Sequence, residues 1–258
     1  MARITAVAIQ KGGQAKTTTA AALGAGLSLR GRRVLYIDLD AQGNLSYSLG
    51  ADATGLTGAS IMDVLQGTTS AAEAIQHTAL GDIISSSPAL AGADTVLTAV
   101  GKEYRLREAL EGLAGAYDFI ILDTPPSLGI LTINALTAAD DLLIPVQADM
   151  YSLQGLGQLW QTVQTIRKYC NPRLAIDGLL ITRYNGRPVL SRALSDMLAQ
   201  TAAQMGTKAY SARIRECIAL KEAVADKKDI YSYAPRSNAA ADYSAFIAEF
   251  LEGEDIRQ

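Results

Sequence analysis

Two lysines five residues apart, Lys11 and Lys16, bracket a glycine pair and lead into threonines in the segment KGGQAKTTT. These residue types suit the holding of an anion. Glycine lets backbone N–H groups approach a negative group closely, and lysine adds a point charge on a flexible stem. Phosphate fits best: Gly12, Gly13, Gln14 and Ala15 form the cradle, Lys16 reaches β- and γ-phosphates, and the hydroxyls of Thr17 and Thr18 follow, with Thr17 placed for Mg²⁺. Further along, Asp38 and Asp40 follow the apolar run VLYI, and Asp123 follows FIIL. Acids at the carboxyl ends of buried strands stand where open α/β sheets place their ligands.

The elements that must position these groups can be read from the apolar pattern. A strand over Ile4 to Ile9 aims the loop, and an alanine-rich helix starting near Thr17 turns its positive dipole end toward the same point. Further strands are expected over Val34 to Ile37, Phe119 to Leu122 and Asp141 to Val146, and over a segment ending at Asn185. Helices are expected at about 104–113, with Leu106, Leu110 and Leu113 on one side, and at about 153–169. Short helices are expected over 60–65 and 71–77, while Pro125 and Pro126 make a rigid turn after Asp123. Strands alternating with helices predict an α/β fold, a mostly parallel twisted sheet with helices on both faces forming a single domain over 1–258, and the loop at Lys16 resembles that of P-loop NTPases.

Composition excludes several alternatives. With 49% hydrophobic and 19% charged residues the chain is not disordered. A net charge of −3 gives no global attraction to nucleic acid or anionic lipid, so such a contact needs a local patch. Cys170, Cys217 and the single histidine, His77, make no zinc or iron–sulfur pattern. No apolar run approaches the roughly 18 residues of a membrane span, and a soluble, cytoplasmic protein is expected.

The pattern K-G-G-x-x-K-T, with its second lysine before the glycines, resembles the deviant Walker A motif of the ParA/MinD superfamily, and the likeness to its ParA/Soj-like partitioning ATPases covers essentially the whole chain. It implies binding of ATP and Mg²⁺, with Lys11 reaching the partner's nucleotide in an ATP-dependent homodimer. DLDAQGN is similar to the family's D-x-D-P-Q-G-N segment, with Ala41 in place of proline. By that likeness Asp40 orients the attacking water, Asp38 supports the Mg²⁺ shell, and Asp123 is the Walker B acid; two solvated acids capping a turn is the plainer reading of Asp38 and Asp40. Asn185 would contact adenine, or else merely start a turn. The resemblance also implies a nucleoid-associated ATP state, non-specific DNA binding, and a ParB-like partner that stimulates hydrolysis. From Lys208 to Arg236 stand seven bases against four acids, and Arg213, Arg215 and Lys221 are the candidate DNA contacts. A solvated charged face explains the same run. From Asp242 onward five acids face one base, so the tail is not the basic membrane anchor of MinD proteins.

Two other readings stay open: an ATP-dependent amidoligase or dethiobiotin-synthetase-like enzyme, and a nucleotide-gated binding module with little hydrolysis. Ala15 bears on the second, because the family has glycine there. With negative φ the methyl group only stiffens the loop, which is the expectation here; a left-handed Ala15 would strain it, and glycine would then improve affinity or turnover.

Overall fold

Successive residues of a strand face opposite ways, so a strand covered on both sides must be apolar throughout and feed two cores. The computed structural model, which describes residues 2–255 apart from 114, 148 and 185–187, has this arrangement at its centre. In β2 (Val34–Asp38) and β5 (Phe119–Asp123) every residue is buried. Leu35, Ile37, Ile120 and Leu122 join one core, and Val34, Tyr36, Phe119 and Ile121 join the other.

In chain order the elements are β1 (Arg3–Val7), α1 (Lys16–Ser28), β2, α2 (Asn44–Leu49), α3 (Ile61–Gln66), β3 (Ile75–Thr78), β4 (Gly81–Ile84), α4 (Ala93–Val96), α5 (Arg105–Leu110), β5, α6 (Ile130–Ala138), β6 (Asp141–Gln147), α7 (Met150–Tyr169), β7 (Ala175–Tyr184), α8 (Pro188–Gln204), β8 (Ala209–Arg215), α9 (Ala219–Ala225), α10 (Ile230–Tyr233) and α11 (Asn238–Asp255). The eight strands lie in the order β3-β4-β2-β5-β1-β6-β7-β8. Every neighbouring pair is parallel except β3 and β4. The predicted mostly parallel α/β sheet is therefore present.

One expected helix is not. The segment 71–77 turns and then extends as β3, pairing antiparallel with β4 and setting His77 opposite Asp82. Pairing along an open sheet edge outweighs the weak helical pattern of so short a segment. His77 lies on the surface, its Nδ1 2.7 Å from an Asp82 oxygen.

Two elements fix the face on which the loop after β1 rests. Tyr243, Phe246, Ile247 and Phe250 of α11 are fully buried, and the Tyr243 and Thr19 hydroxyls hydrogen-bond across to α1 at 3.2 Å. On the edge side, Glu249 of α11 accepts from the Ser211 and Ala212 N–H groups of β8. Beneath them Arg3 of β1 ties three strands together: its guanidinium donates to Asp141 of β6 at 2.6 Å and to Asp177 of β7 at 2.9 Å. Its carbon lies 4.0 Å over the Phe250 ring.

Candidate functional site

Parallel order and register bring the candidate acids together. Val7 and Asp38 are both register partners of Asp123, so the loop leaving β1 and the two aspartates meet at the carboxyl edge of the sheet. The loop turns through two left-handed residues, Gly13 at φ 79° and Ala15 at φ 63°. Ala15 is the N-cap of α1 and has no capping side chain, so the first N–H groups of the helix remain free for an anion. The negative φ expected at Ala15 is thus overturned: the turn into α1 needs a left-handed residue, and the alanine adopts that conformation at a steric cost.

Gln14 also departs from expectation. Its side chain turns inward and is 1% exposed. Its Oε1 accepts from the Gln147 N–H at 2.6 Å and the Ser152 hydroxyl at 3.1 Å, and the Thr182 hydroxyl donates to its carbonyl at 3.1 Å. Gln14 therefore fastens the loop to β6, α7 and β7, and its side chain does not face the cradle.

Lys16 is 8% exposed, with its ammonium 3.4 Å from the Lys11 carbonyl. Burial pulls its pKa down, against the opposing charges of Asp123 and Asp40. The Thr17 hydroxyl donates to Asp123 Oδ2 at 2.7 Å. Asp123 is fully buried, its Oδ1 has no hydrogen-bond partner among the described residues, and desolvation, then the nearby Asp38, push its pKa well up. A buried carboxylate oxygen without a partner beside a threonine hydroxyl suits a hard cation. Among the described residues no cluster of three His, Cys, Asp or Glu could hold a metal by itself. Thr17 and Asp123 would hold Mg²⁺, with nucleotide oxygens completing its shell.

Asp38 and Asp40 do different work. Both oxygens of Asp38 are already engaged, Oδ1 by the Asp40 N–H at 3.1 Å and Oδ2 by the Ser46 N–H and hydroxyl, each at 2.8 Å. Burial raises its pKa to about 6 in spite of those bonds. By this bonding Asp38 shapes the turn that carries Asp40. Asp40 itself lines a cavity of about 310 Å³ whose floor is Gly12, Gly13 and Ala15 to Thr18. Asn44, Pro126 and Arg183 complete the walls. Asn44 lies in the DLDAQGN segment, which was informative without singling it out, and Arg183 carries no local motif. A smaller cavity of about 70 Å³ adjoins it, sharing Ala15, Thr18 and Arg183.

Lys11 lies outside this cleft, its ammonium bonded to both oxygens of Asp149 at 3.0 and 2.9 Å. Of the proposed DNA contacts, Arg213 stacks 5.2 Å over the Tyr184 ring and Lys221 is exposed. Arg215 is bonded to both oxygens of Asp242, which neutralises much of its charge. Asn185 lies outside the described residues.

Sheet order, loop and acids together define a P-loop ATPase. The AAA domain family matches residues 2–176. Over 94% of this chain and 96% of its own length, the sporulation initiation inhibitor Soj of Bacillus subtilis is 39% identical. The chromosome partitioning protein ParA of Caulobacter vibrioides is 38% identical over 99% of this chain and 96% of its own. A Mycobacterium smegmatis structure described as cobyrinic acid a,c-diamide synthase, with ADP and magnesium, superposes with a TM-score of 0.86 at 35% identity, covering 100% of this chain and 97% of that one. The chain belongs to the ParA/Soj family of P-loop ATPases.

Proposed function

We propose that the protein is a DNA-partitioning ATPase that dimerises around two Mg·ATP, binds DNA without sequence preference in that state, and hydrolyses ATP slowly until a ParB-like partner accelerates it. The observation that carries this is the loop with two lysines in different places, one buried under the cradle and one on its outer side. Hydrolysis at such a site is positioning and charge neutralisation more than covalent help. Lys16 holds the β- and γ-phosphate oxygens, and Lys11 does the same for the partner's nucleotide. Asp40, on the turn that Asp38 braces, aligns the attacking water, and Thr17 with Asp123 holds the metal. Bound Mg²⁺ supplies further neutralisation of the charge developing on the transferred group.

For DNA, Arg213 and Lys221 are the stronger candidates and Arg215 the weaker, given its pairing with Asp242. ATP turnover measured with and without DNA tests the proposal. ATP-dependent DNA binding should fall steeply with salt, since phosphate contacts release counterions, and replacing Arg213 and Lys221 together should weaken it for every sequence. Absence of DNA binding at low salt would count against partitioning.

The name given to the Mycobacterium smegmatis protein supports a second reading, an amidoligase that activates a small carboxylic acid with ATP. That reading expects turnover to depend on the acid and a nitrogen donor, and to be indifferent to DNA and to loss of Lys11.

A further inference from the structure

Arg183 stands at the end of β7 in a conformation that arginine seldom adopts, φ 51°. A left-handed backbone is sterically unfavourable for a residue with a Cβ, and such strain concentrates where side chains are aimed for function. Here the aiming can be traced. Thr182, immediately before it, is buried and anchored through its hydroxyl to the Gln14 carbonyl of the β1–α1 loop. The pairing of β7 with β8 shifts register between Ile181 and Tyr184, and such irregularities re-aim the side chain they contain.

The guanidinium consequently lies over the cradle: a methyl group on Gly13 would come within 3.7 Å of Arg183 Nη1. The side chain is exposed, and among the described residues it has no hydrogen-bond or ion-pair partner. It lines both the larger cavity, with Lys16 and Asp40, and the smaller one, with Glu216 and Lys221. A planar fork of donors matches two oxygens of a phosphate group, which a lysine cannot do.

We propose that Arg183 is a nucleotide-binding residue, bringing a guanidinium from the same chain onto the phosphate groups of the ATP or ADP seated on the β1–α1 loop. The proposal rests on that loop being the nucleotide site. Arg183 would then be a cis cation beside Lys16, fixed by the Thr182–Gln14 bond so that loop and arginine move as one unit.

Nucleotide titration of Arg183→Gly, Arg183→Met and Arg183→Lys tests this, with thermal unfolding of each variant without nucleotide alongside. Glycine accepts φ 51° without strain, so Arg183→Gly should unfold no earlier than the natural chain while its affinity for ATP drops about tenfold, as expected for losing a charge-assisted contact. Arg183→Met should lose as much, and Arg183→Lys should recover part by restoring charge without the fork. A loss seen with ATP and ADP alike, or with ATP alone, supports a phosphate contact. Affinities within twofold of the natural chain for both glycine and methionine variants would overturn it. Failure of the natural chain to bind ATP, or unaltered binding by Lys16→Ala, would instead overturn the underlying site.

Discussion

Ala15 shows how much a single methyl group decides at this loop. Its φ of 63° sets a Cβ on a left-handed backbone, and that conformation comes from the turn, not from the residue. Replacing it with glycine removes strain of about 1–2 kcal/mol but adds unfolded-state freedom worth about 0.4–1 kcal/mol. The expected net result is a gain in unfolding free energy of about 0 to 1.6 kcal/mol, measured by urea denaturation. If nucleotide binding tightens this turn further, ATP affinity should rise with it, by roughly fivefold per kcal/mol. Ala15→Val should move stability the other way, because a β-branched side chain tolerates a left-handed backbone still less. The gathering of Lys16, Thr17 and Asp123 at one edge of the sheet was legible from residue type and strand ends. The conformation of Gln14 and Ala15 was not legible, because inward rotation and the sign of φ depend on Gln147, Ser152 and Thr182, which lie more than 130 positions away.

Among the elements, the junction of β1, β6, β7 and α11 depends on one cation. Asp141 and Asp177 are 0% and 3% exposed, and Tyr210 donates a further hydrogen bond to Asp177. Arg3→Met leaves both acids buried without their guanidinium and should cost about 3–5 kcal/mol, as breaking buried pairs does. The loss should depend on pH in a definite direction. Burial already raises the pKa of Asp141 and Arg3 pulls it back down, so in the variant the folded-state pKa moves further above its unfolded value of about 3.9. A raised carboxyl pKa means the folded state binds the extra proton, and stability is lost as pH climbs through that pKa. Unfolding at pH 5 and pH 8 should therefore show the larger deficit at pH 8. The strands β1, β2, β5, β6 and β7 were readable from their apolar runs. The two edge strands were not: β8 has a half-exposed, mixed pattern, and β3, four residues long, is defined by its partner β4 more than by its own pattern.

For the molecule as a whole, the proposed reach of Lys11 to a second copy's nucleotide requires it to leave Asp149. As α7's N-cap, Asp149 accepts from the Ser152 N–H at 2.8 Å, so the lysine is held by a group already fixed in place. Both side chains remain about one-third exposed, and a surface pair of this kind is worth only about 0–1 kcal/mol; a phosphate chain presented by a second copy could readily displace it. In an Asp40→Ala background, ATP should drive dimerisation that light scattering detects, and adding Lys11→Ala should abolish it while leaving nucleotide binding intact. Equal dimerisation of the single and double variants would remove Lys11 from the interface. The general order of sheet, loop and acids was visible in the chain because each strand announces its own end. Which lysine is parked and where was not, since that contact joins segments 138 positions apart.

The helix α11 has a consequence in the order of synthesis. Loop, both aspartate strands and the turn after Asp123 all leave the ribosome well before Ile230, yet the face of α1 at Thr19 and Gly26 is covered by Tyr231 of α10 and by Tyr243 and Ile247 of α11, which arrive last. A nascent chain thus carries every phosphate-handling residue of the site while lacking the packing that keeps α1 seated. Prematurely terminated products should be protease-sensitive and unable to hold nucleotide. A shortened message would then yield debris for degradation, and no half-competent copy to compete for nucleotide.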